Sequence, residues 1–453
     1  MDEVRLENFR CFREQQTARL APLTLLVGEN STGKTSFLAM VRALNAIFAG
    51  KWQYNFKDEP YDLGSFDEIA HHRGGGGGRA TEFAAGFSGS QMLRRSKSNP
   101  ITLPYKVDLR FARQGTVPVL TRRQWQSKRA WISESFHPDK VEFGEGPDVW
   151  TWQPNSGLEG EDEVRDPPPL ALWGWSSFLR DIHSGEDILP ESEGKPTPTP
   201  QQLKRIERLV RVARWGGRSP LAHGGPLFAA APVRSKPHRT YDPSPYAFDS
   251  EGSYVPMYLA DIFFRERKAW ESMKASLEKF GRDSGLFDEI NIKPLGRRDS
   301  EPFQVQIRKA SATAKGPNRN FIDVGYGVSQ TLPILTELFR KDSAKTFLLQ
   351  QPEVHLHPSA QAALGTLFCR LASQGRQLLV ETHSDHLIDR IRMDVRDGTT
   401  ELKPKDVSIL YFERGNIDVH IHSLDIDQEG NILGAPASYR QFFMAETRRS
   451  LNL

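Results

Sequence analysis

The sequence has few of the features that mark a secreted or membrane protein. Its 453 residues include two cysteines, Cys11 and Cys369, too few for a disulfide framework. No apolar run approaches the roughly 20 residues that cross a bilayer, and no apolar signal segment precedes the first predicted strand. A net charge of +3 gives no strong field for nucleic acid or lipid. We therefore expect a cytoplasmic protein with no membrane partner.

The length predicts two or three domains, and the pattern along the chain suggests where they meet. Short alternating strands between 101 and 153 predict an antiparallel sheet. Residues 156–200 are first acidic and then proline-rich, an amphipathic basic helix is predicted near 201–215, and a further helix is predicted at 257–280. Beyond residue 291, strands alternate with helices, which predicts a mainly parallel sheet. The predicted organisation is an N-terminal lobe (1–155), a largely helical insertion (156–290) and a C-terminal lobe (291–453).

A complete Walker A sequence, GENSTGKT, occupies positions 28–35. It follows an apolar strand at 23–27 and precedes an apolar helical pattern from Phe37 to Phe48, which is the context that a P-loop requires. Lys34 is expected to reach the β- and γ-phosphates of ATP, and the Thr35 hydroxyl to hold Mg²⁺. The predicted nucleotide-binding residues of this loop are Asn30, Ser31, Gly33, Lys34, Thr35 and Ser36.

A second apolar strand, Phe347 to Gln350, ends without the two acids that normally follow in a Walker B motif. Gln350 stands at the magnesium position and Gln351 at the position of the residue that primes water. A glutamine oxygen can bind a metal ion, but it cannot accept a proton, and loss of a general base costs about 10²–10⁴ in rate. Either hydrolysis is slow, or Glu353 or a partner subunit supplies the base.

Two further segments could face a phosphate. The glycine-rich turn from Asp323 to Gln330 opens a helix, so it could bind an anion, although by itself it is more often a plain turn. His383 ends a strand and could hydrogen-bond a γ-phosphate, although a single histidine is more often structural. His355 and His357 with His383 match no closed zinc site, so zinc is not expected.

Two other features are explained by ordinary structural roles. Asp425 and Asp427 resemble a nuclease acid pair, but a turn is the simpler interpretation, and fewer than 30 residues follow. The basic helix at 201–215 could touch nucleic acid. A solvated face that pairs with the acidic stretch at 159–166 is the plainer explanation.

Taken in order, NFR, GENSTGKT, VGYGVSQTLPIL, FLLQQPEVHLHPSAQ and ETHSDHL resemble the RecF/SMC/OLD-like ABC ATPases, which bacteria use in DNA repair and in anti-phage defence. Residues 231–243 also look like the defence-associated branch. The resemblance covers about 1–155 and 231–453, and it implies an α/β ABC-type P-loop head with a mixed sheet and an antiparallel β subdomain.

The resemblance also implies roles for particular residues. Gly327, Ser329 and Gln330 would form the signature surface that closes on the nucleotide of a second subunit. His383 would be the switch histidine, and Gln351 or Glu353 would act on water. Thr35 and Gln350 would be the magnesium ligands. No C-terminal nuclease is expected, so a toxic activity would belong to a partner.

Three hypotheses for function follow. The first is a defence-system ATPase that acts as sensor and scaffold, dimerises head to tail or builds a higher oligomer, and controls a separate effector protein. The second is a RecF-like DNA-repair clamp, for which the near-neutral charge gives little support. The third is an ATP switch that binds without hydrolysis, which the two glutamines favour.

Overall fold

The computed structural model divides the chain into two units. The first consists of 1–20, 31–224 and 412–421, and the second of 21–30, 225–411 and 422–453. The structure describes residues 1–49, 51, 54–74, 78–94, 100–136, 140–152, 178–180, 182, 188–190, 198–216, 227–309, 316–342 and 344–439.

A seven-stranded sheet forms the centre of the second unit. Its strand β3, Leu23–Gly28, is buried at all six positions, as expected of a strand covered on both faces. β3 pairs in parallel with β16 (Gln377–Glu381), which pairs in parallel with β15 (Thr346–Gln350). The strand order is β11 (Leu227–Ala230), β15, β16, β3, β17 (Val407–Arg414), β18 (Val419–Ile426) and β19 (Ile432–Leu433).

Helices whose apolar faces join one hydrophobic core belong to the same unit. The single helix predicted at 257–280 is wrong, because two helices meet at Glu266, where φ is −130° and ψ is 67°. Neither proline nor glycine lies at this break, and the apolar spacing continues across it. The sequence pattern therefore does not predict where the first helix ends. These helices are α4 (Val255–Arg265), α5 (Arg267–Ser284), α6 (Tyr326–Phe339), α7 (Pro358–Ser373) and α8 (Asp385–Arg396).

A nine-stranded antiparallel sheet forms the first unit and confirms the sheet predicted at 101–153. The helix after the P-loop, α1 (Lys34–Phe48), packs on it through Phe48, whose ring lies 4.8 Å from Phe87 and 5.6 Å from Trp125. The strands are β1 (Glu3–Glu7), β2 (Gln16–Arg19), β4 (Glu82–Arg94), β5 (Pro100–Gln114), β6 (Val117–Ser127), β7 (Ala130–Ser135), β8 (Lys140–Glu145), β9 (Asp148–Trp152) and β10 (Ile188–Pro190). A short helix, α2 (Phe66–Ile69), precedes β4.

The predicted basic helix exists as α3, Pro200–Gly216. Its apolar face, which includes Ile206 and Val210, is buried, and Arg205 pairs with Glu145 of β8. The acidic stretch at 159–166, which was the expected partner, lies outside the described residues, as do the prolines at 167–169.

The remaining part of the second unit contains a three-stranded sheet of β12 (Glu289–Pro294), β13 (Phe303–Arg308) and β14 (Arg319–Asn320). Strand β11 lies within the segment predicted as an insertion, yet it pairs in parallel with β15. The boundaries at 155 and 290 stay a prediction. Parallel central strands, flanking helices and a separate antiparallel sheet confirm the predicted α/β class.

Two smaller expectations can be compared with the structure. Asp427 opens a turn, because its Oδ1 accepts hydrogen bonds from the amides of Glu429 and Asn431, so the turn predicted here is confirmed. Within the described ranges, no helix has the length and apolar character that crossing a bilayer requires.

Candidate nucleotide-binding site

The P-loop joins β3 to α1 as predicted. Gly28 ends the strand with φ at 144°, and Gly33 caps the helix with φ at 85°. Lys34, the first helical residue, is 3% exposed, whereas Thr35 is open to solvent. No acid lies in the first turn of α1, so no carboxylate of that turn offsets the attraction of the helix dipole for a phosphate.

The other predicted residues of this loop have different surroundings. Asn30 and Ser31 are exposed, and the Ser31 carbonyl accepts a hydrogen bond from Arg414 at 2.9 Å. Ser36 is buried, and its Oγ accepts a bond from Arg10 Nη1 at 3.3 Å. Arg10 had no role in the sequence prediction, although its position in the NFR segment could have suggested one. It places a cationic side chain against the first turn of α1.

Gly33 is required both by backbone conformation and by space. A Cβ at this position would lie 2.3 Å from Cys11 Sγ. We expect Gly33→Ala to weaken ATP binding and to lower the free energy of unfolding by about 1–3 kcal/mol. Gly115→Ala is the matched control, because Gly115 also has positive φ (61°) but nothing within 4 Å, so it should cost only about 1 kcal/mol. Equal losses in Tm for the two variants would contradict the steric argument.

The carboxyl ends of three parallel strands form one edge of the seven-stranded sheet. Gly28 ends β3, Glu381 ends β16 and Gln350 ends β15, and the Cα of Gln350 pairs with that of Glu381. Gln350 is 3% exposed, and its Oε1 is buried without a hydrogen-bond partner among the described residues. Gln351 follows with φ at 40°, and its amide donates to the Glu381 carbonyl at 2.8 Å. We call these strand ends the carboxyl edge.

Glu353 is a buried carboxylate at the carboxyl edge. Its Oε1 accepts hydrogen bonds from Thr382 Oγ1 at 2.7 Å and from the His383 amide at 2.9 Å. Its Oε2 is shielded from solvent and has no partner within the described part of the chain. Burial raises the pKa of Glu353, while the bonds from His383 and Thr382 oppose that rise. One oxygen is therefore anchored and the other is available to a ligand or water.

The loop that carries His383 is held firmly. The Thr382 amide bonds the Leu26 carbonyl at 3.1 Å, which ties the loop to β3. Ser384 caps α8 by accepting from the Leu387 amide at 3.0 Å. His383 is half-buried, and its backbone amide bonds Glu353, which lies 30 residues earlier in the sequence. The switch role of His383 stays a prediction, and its position at the carboxyl edge is consistent with it.

The three predicted signature residues face inward. Gly327 is a close-approach position, since a Cβ there would lie 2.9 Å from the His355 carbonyl oxygen. Ser329 is 3% exposed and donates to the Tyr326 carbonyl at 3.0 Å, and Gln330 is 8% exposed. The accessible part of this segment is the start of α6, where Tyr326 is 64% exposed.

A magnesium ion would have few charged ligands in the part of the chain that the structure describes. No cluster of three or more His, Cys, Asp or Glu residues is suitable for a metal ion there. Gln350 Oε1, which has no hydrogen-bond partner among the described residues, can serve as one neutral oxygen ligand. Thr35 has an exposed hydroxyl-bearing side chain on α1. Gln350 therefore fits Mg²⁺ as one weak ligand, and the pairing of Thr35 with Gln350 at one metal ion stays a prediction.

Arg234 is a functional candidate that the sequence prediction missed. It is 3% exposed, its Nη2 donates to the Gln350 carbonyl at 3.1 Å, and its amide donates to Gln330 Oε1 at 3.3 Å. In the sequence, residues 231–243 are distinguished only by their resemblance to the defence-associated branch of the family. A single arginine in this segment gives no periodic signal. Only the fold could therefore place it at the carboxyl edge.

Two family models and a curated relative match parts of the chain. Residues 1–76 match the family model "AAA ATPase domain", and residues 269–389 match "AAA domain, putative AbiEii toxin, Type IV TA system". A curated relative, the OLD nuclease of Thermus scotoductus, is 28% identical over 137 residues, which are 28% of this chain and 24% of the relative. The match therefore spans about a quarter of that relative's length.

Among solved structures, the chain is similar to an Smc head bound to the C-winged helix domain of ScpA (TM-score 0.44, 10% identity, 94% of this chain and 98% of that one). It is also similar to the SMC head domain from Thermotoga maritima (TM-score 0.40, 10% identity, 94% and 99%). The first match contains the P-loop, and the second contains Gln350, Glu353 and His383. Through these family matches and this relative, the chain is similar to RecF/SMC/OLD-like ABC ATPases.

Proposed function

We propose that the chain binds ATP and Mg²⁺ at the P-loop and hydrolyses the nucleotide slowly, with Glu353 as general base in place of Gln351. The observation that carries this proposal is the geometry of Glu353, which has one anchored oxygen and one buried oxygen without a partner among the described residues. Because burial raises its pKa, the carboxylate is a better proton acceptor than one in water. Magnesium would supply charge to the phosphates, and Thr35 and Gln350 would hold it.

The proposed working form is a head-to-tail dimer, in which each P-loop faces the start of α6 of the other copy. Support comes from the exposed Tyr326 at that helix start, because a large exposed aromatic side chain is typical of an interface. The backbone of the first turn of α6 would meet the nucleotide, since Ser329 is buried. A larger oligomer built from such dimers stays a prediction.

We expect Tyr326→Glu to weaken ATP-dependent dimerisation by at least about tenfold, because it places a charge and removes an aromatic contact at the interface. Binding of ATP to the monomer should not change. Analytical ultracentrifugation with and without ATP measures this. Leu295→Glu is the matched control, because Leu295 is also exposed (47%) but lies in the turn after β12. An unchanged dimer in Tyr326→Glu would rule out this interface.

We propose that the ATP-driven dimer acts in anti-phage defence and controls a separate effector protein. The similarity to an OLD nuclease and to a family model described as a putative toxin supports a setting of this kind. The chain expressed alone should give no protection against phage, whereas the chain with its genomic neighbours should protect. Full protection by the chain alone would overturn the effector hypothesis.

A second candidate is an ATP switch that never hydrolyses its nucleotide. Gln350 and Gln351 favour it, because neither side chain can take a proton. Here ATP binding would close the dimer and ATP release would open it. The two candidates differ in the nucleotide that leaves the protein. ADP recovered after incubation with ATP supports slow hydrolysis, and intact ATP alone supports the switch.

A further inference from the structure

The side chain of Arg234 is buried at the carboxyl edge with most of its hydrogen-bonding capacity unused. Strand β11 ends at Ala230 and runs parallel to β15, so the chain that follows it emerges at the edge where Gln350 ends its strand. Arg234 Nη2 bonds the Gln350 carbonyl, which fixes the guanidinium at this edge. Its Nε and Nη1 are shielded from solvent and have no acceptor among the described residues.

A guanidinium in this state needs an acceptor. It is always protonated near neutral pH, and although burial lowers the pKa of Arg234 to about 10, the group stays charged at pH 7. Glu353 is the acid whose charge opposes that lowering. A buried charged donor without a partner is costly, so an oxygen from outside the chain is the expected acceptor.

Two side-chain oxygens at the carboxyl edge also lack hydrogen-bond partners among the described residues. They are Gln350 Oε1 and Glu353 Oε2, and both are buried. Acids at positions 350 and 351 would bring two negative charges that attract a metal ion and pair with Arg234. Glutamine at both positions brings none, so Arg234 interacts with the charge of Glu353 alone among the described residues and keeps two donor atoms for an anion.

We propose that Arg234 donates hydrogen bonds to the terminal phosphate of ATP and supplies positive charge that a carboxylate-held metal ion would otherwise supply. The protein then holds ATP with little dependence on magnesium. This inference rests on the proposed ATP-binding function and adds to it a residue that distinguishes ATP from ADP. In this proposal Gln350 and Gln351 are neutral, and the buried Arg234 carries the positive charge that faces the phosphate.

The test is the affinity of the full chain for ATP and for ADP, each measured by calorimetry in Mg²⁺ and in EDTA. Wild-type protein should lose less than about tenfold in ATP affinity when Mg²⁺ is removed. Arg234→Gln in EDTA should bind ATP about tenfold or more weakly than wild type, because a charge-assisted bond is lost, and should bind ADP as wild type does. Arg234→Lys should show a smaller loss, because it keeps the charge without the fork of donors.

Arg239→Gln is the matched control. Arg239 lies in the same segment, but it is exposed and pairs with Asp323 at 2.7 and 2.9 Å, so its loss should leave ATP affinity unchanged. ATP affinity in EDTA that is equal in Arg234→Gln and wild type would overturn the inference and leave Arg234 as the partner of an enclosed water only. Loss of ADP binding in both Arg234 variants would also overturn it, as a purely structural role. Wild-type protein that binds neither nucleotide would overturn the proposed function itself.

Discussion

Glu353→Gln is expected to lower the rate of phosphate release by about 10²–10⁴-fold and to leave ATP affinity unchanged. The amide oxygen of glutamine can still accept from Thr382 Oγ1 and from the His383 amide, so the loop keeps its anchor, while the ability to take a proton is lost. Single-turnover phosphate release measures the rate. Glu381→Gln is the matched control, because Glu381 is a second buried carboxylate at the same edge. A greater loss in Glu381→Gln than in Glu353→Gln would assign the base to Glu381.

The thermal stability of Glu353→Gln distinguishes a loss of catalysis from a loss of folding. Burial raises the pKa of Glu353 above its value in the unfolded chain, so the folded state binds the proton more tightly. The contribution of this group to the free energy of unfolding therefore falls as pH rises from the unfolded pKa through the folded one. Glu353→Gln removes that dependence and should be at least as stable as wild type at pH 8. A lower Tm at pH 8 would show that the variant loses activity through its fold.

Gln351→Glu is expected to raise the rate of phosphate release by at least about tenfold, because it places a carboxylate at the usual position of the base. The backbone there is fixed, with φ at 40° and the amide bonded to the Glu381 carbonyl, so the new side chain should start from the same place as the glutamine. The same phosphate-release assay measures the gain.

Gln351→Asn controls for the change of side chain at this position, since it adds no charge and should leave the rate near wild type. No gain in Gln351→Glu would mean that the missing acid at position 351 does not limit hydrolysis. The account of a missing base would then be wrong.

Features that are contiguous in the sequence could be predicted well. The P-loop, its strand and its helix occupy one run of residues, and burial of every residue of β3 follows from an apolar run without alternation. The break at Glu266 could not be predicted, because the apolar spacing continues across it and its dihedral angles alone end the helix.

Contacts between distant segments could be predicted less well. Glu353 was a candidate base from its place after Pro352, but its anchor lies about 30 residues away on Thr382 and His383. Arg234 reaches Gln350 across 116 positions, so neither local spacing nor composition could reveal the contact. The inward direction of Ser329 depends on which face of α6 the core covers, and the glycine-rich turn does not encode that.

The most direct test of the central claim is phosphate release by purified wild-type protein with Mg-ATP, measured beside Lys34→Ala. Lys34 begins α1 within the P-loop, and its loss should remove nucleotide binding. The account predicts slow release from wild type and none above background from Lys34→Ala. Equal release from both proteins, or none from wild-type protein that retains bound ATP, would contradict an active ATPase with Glu353 as its base.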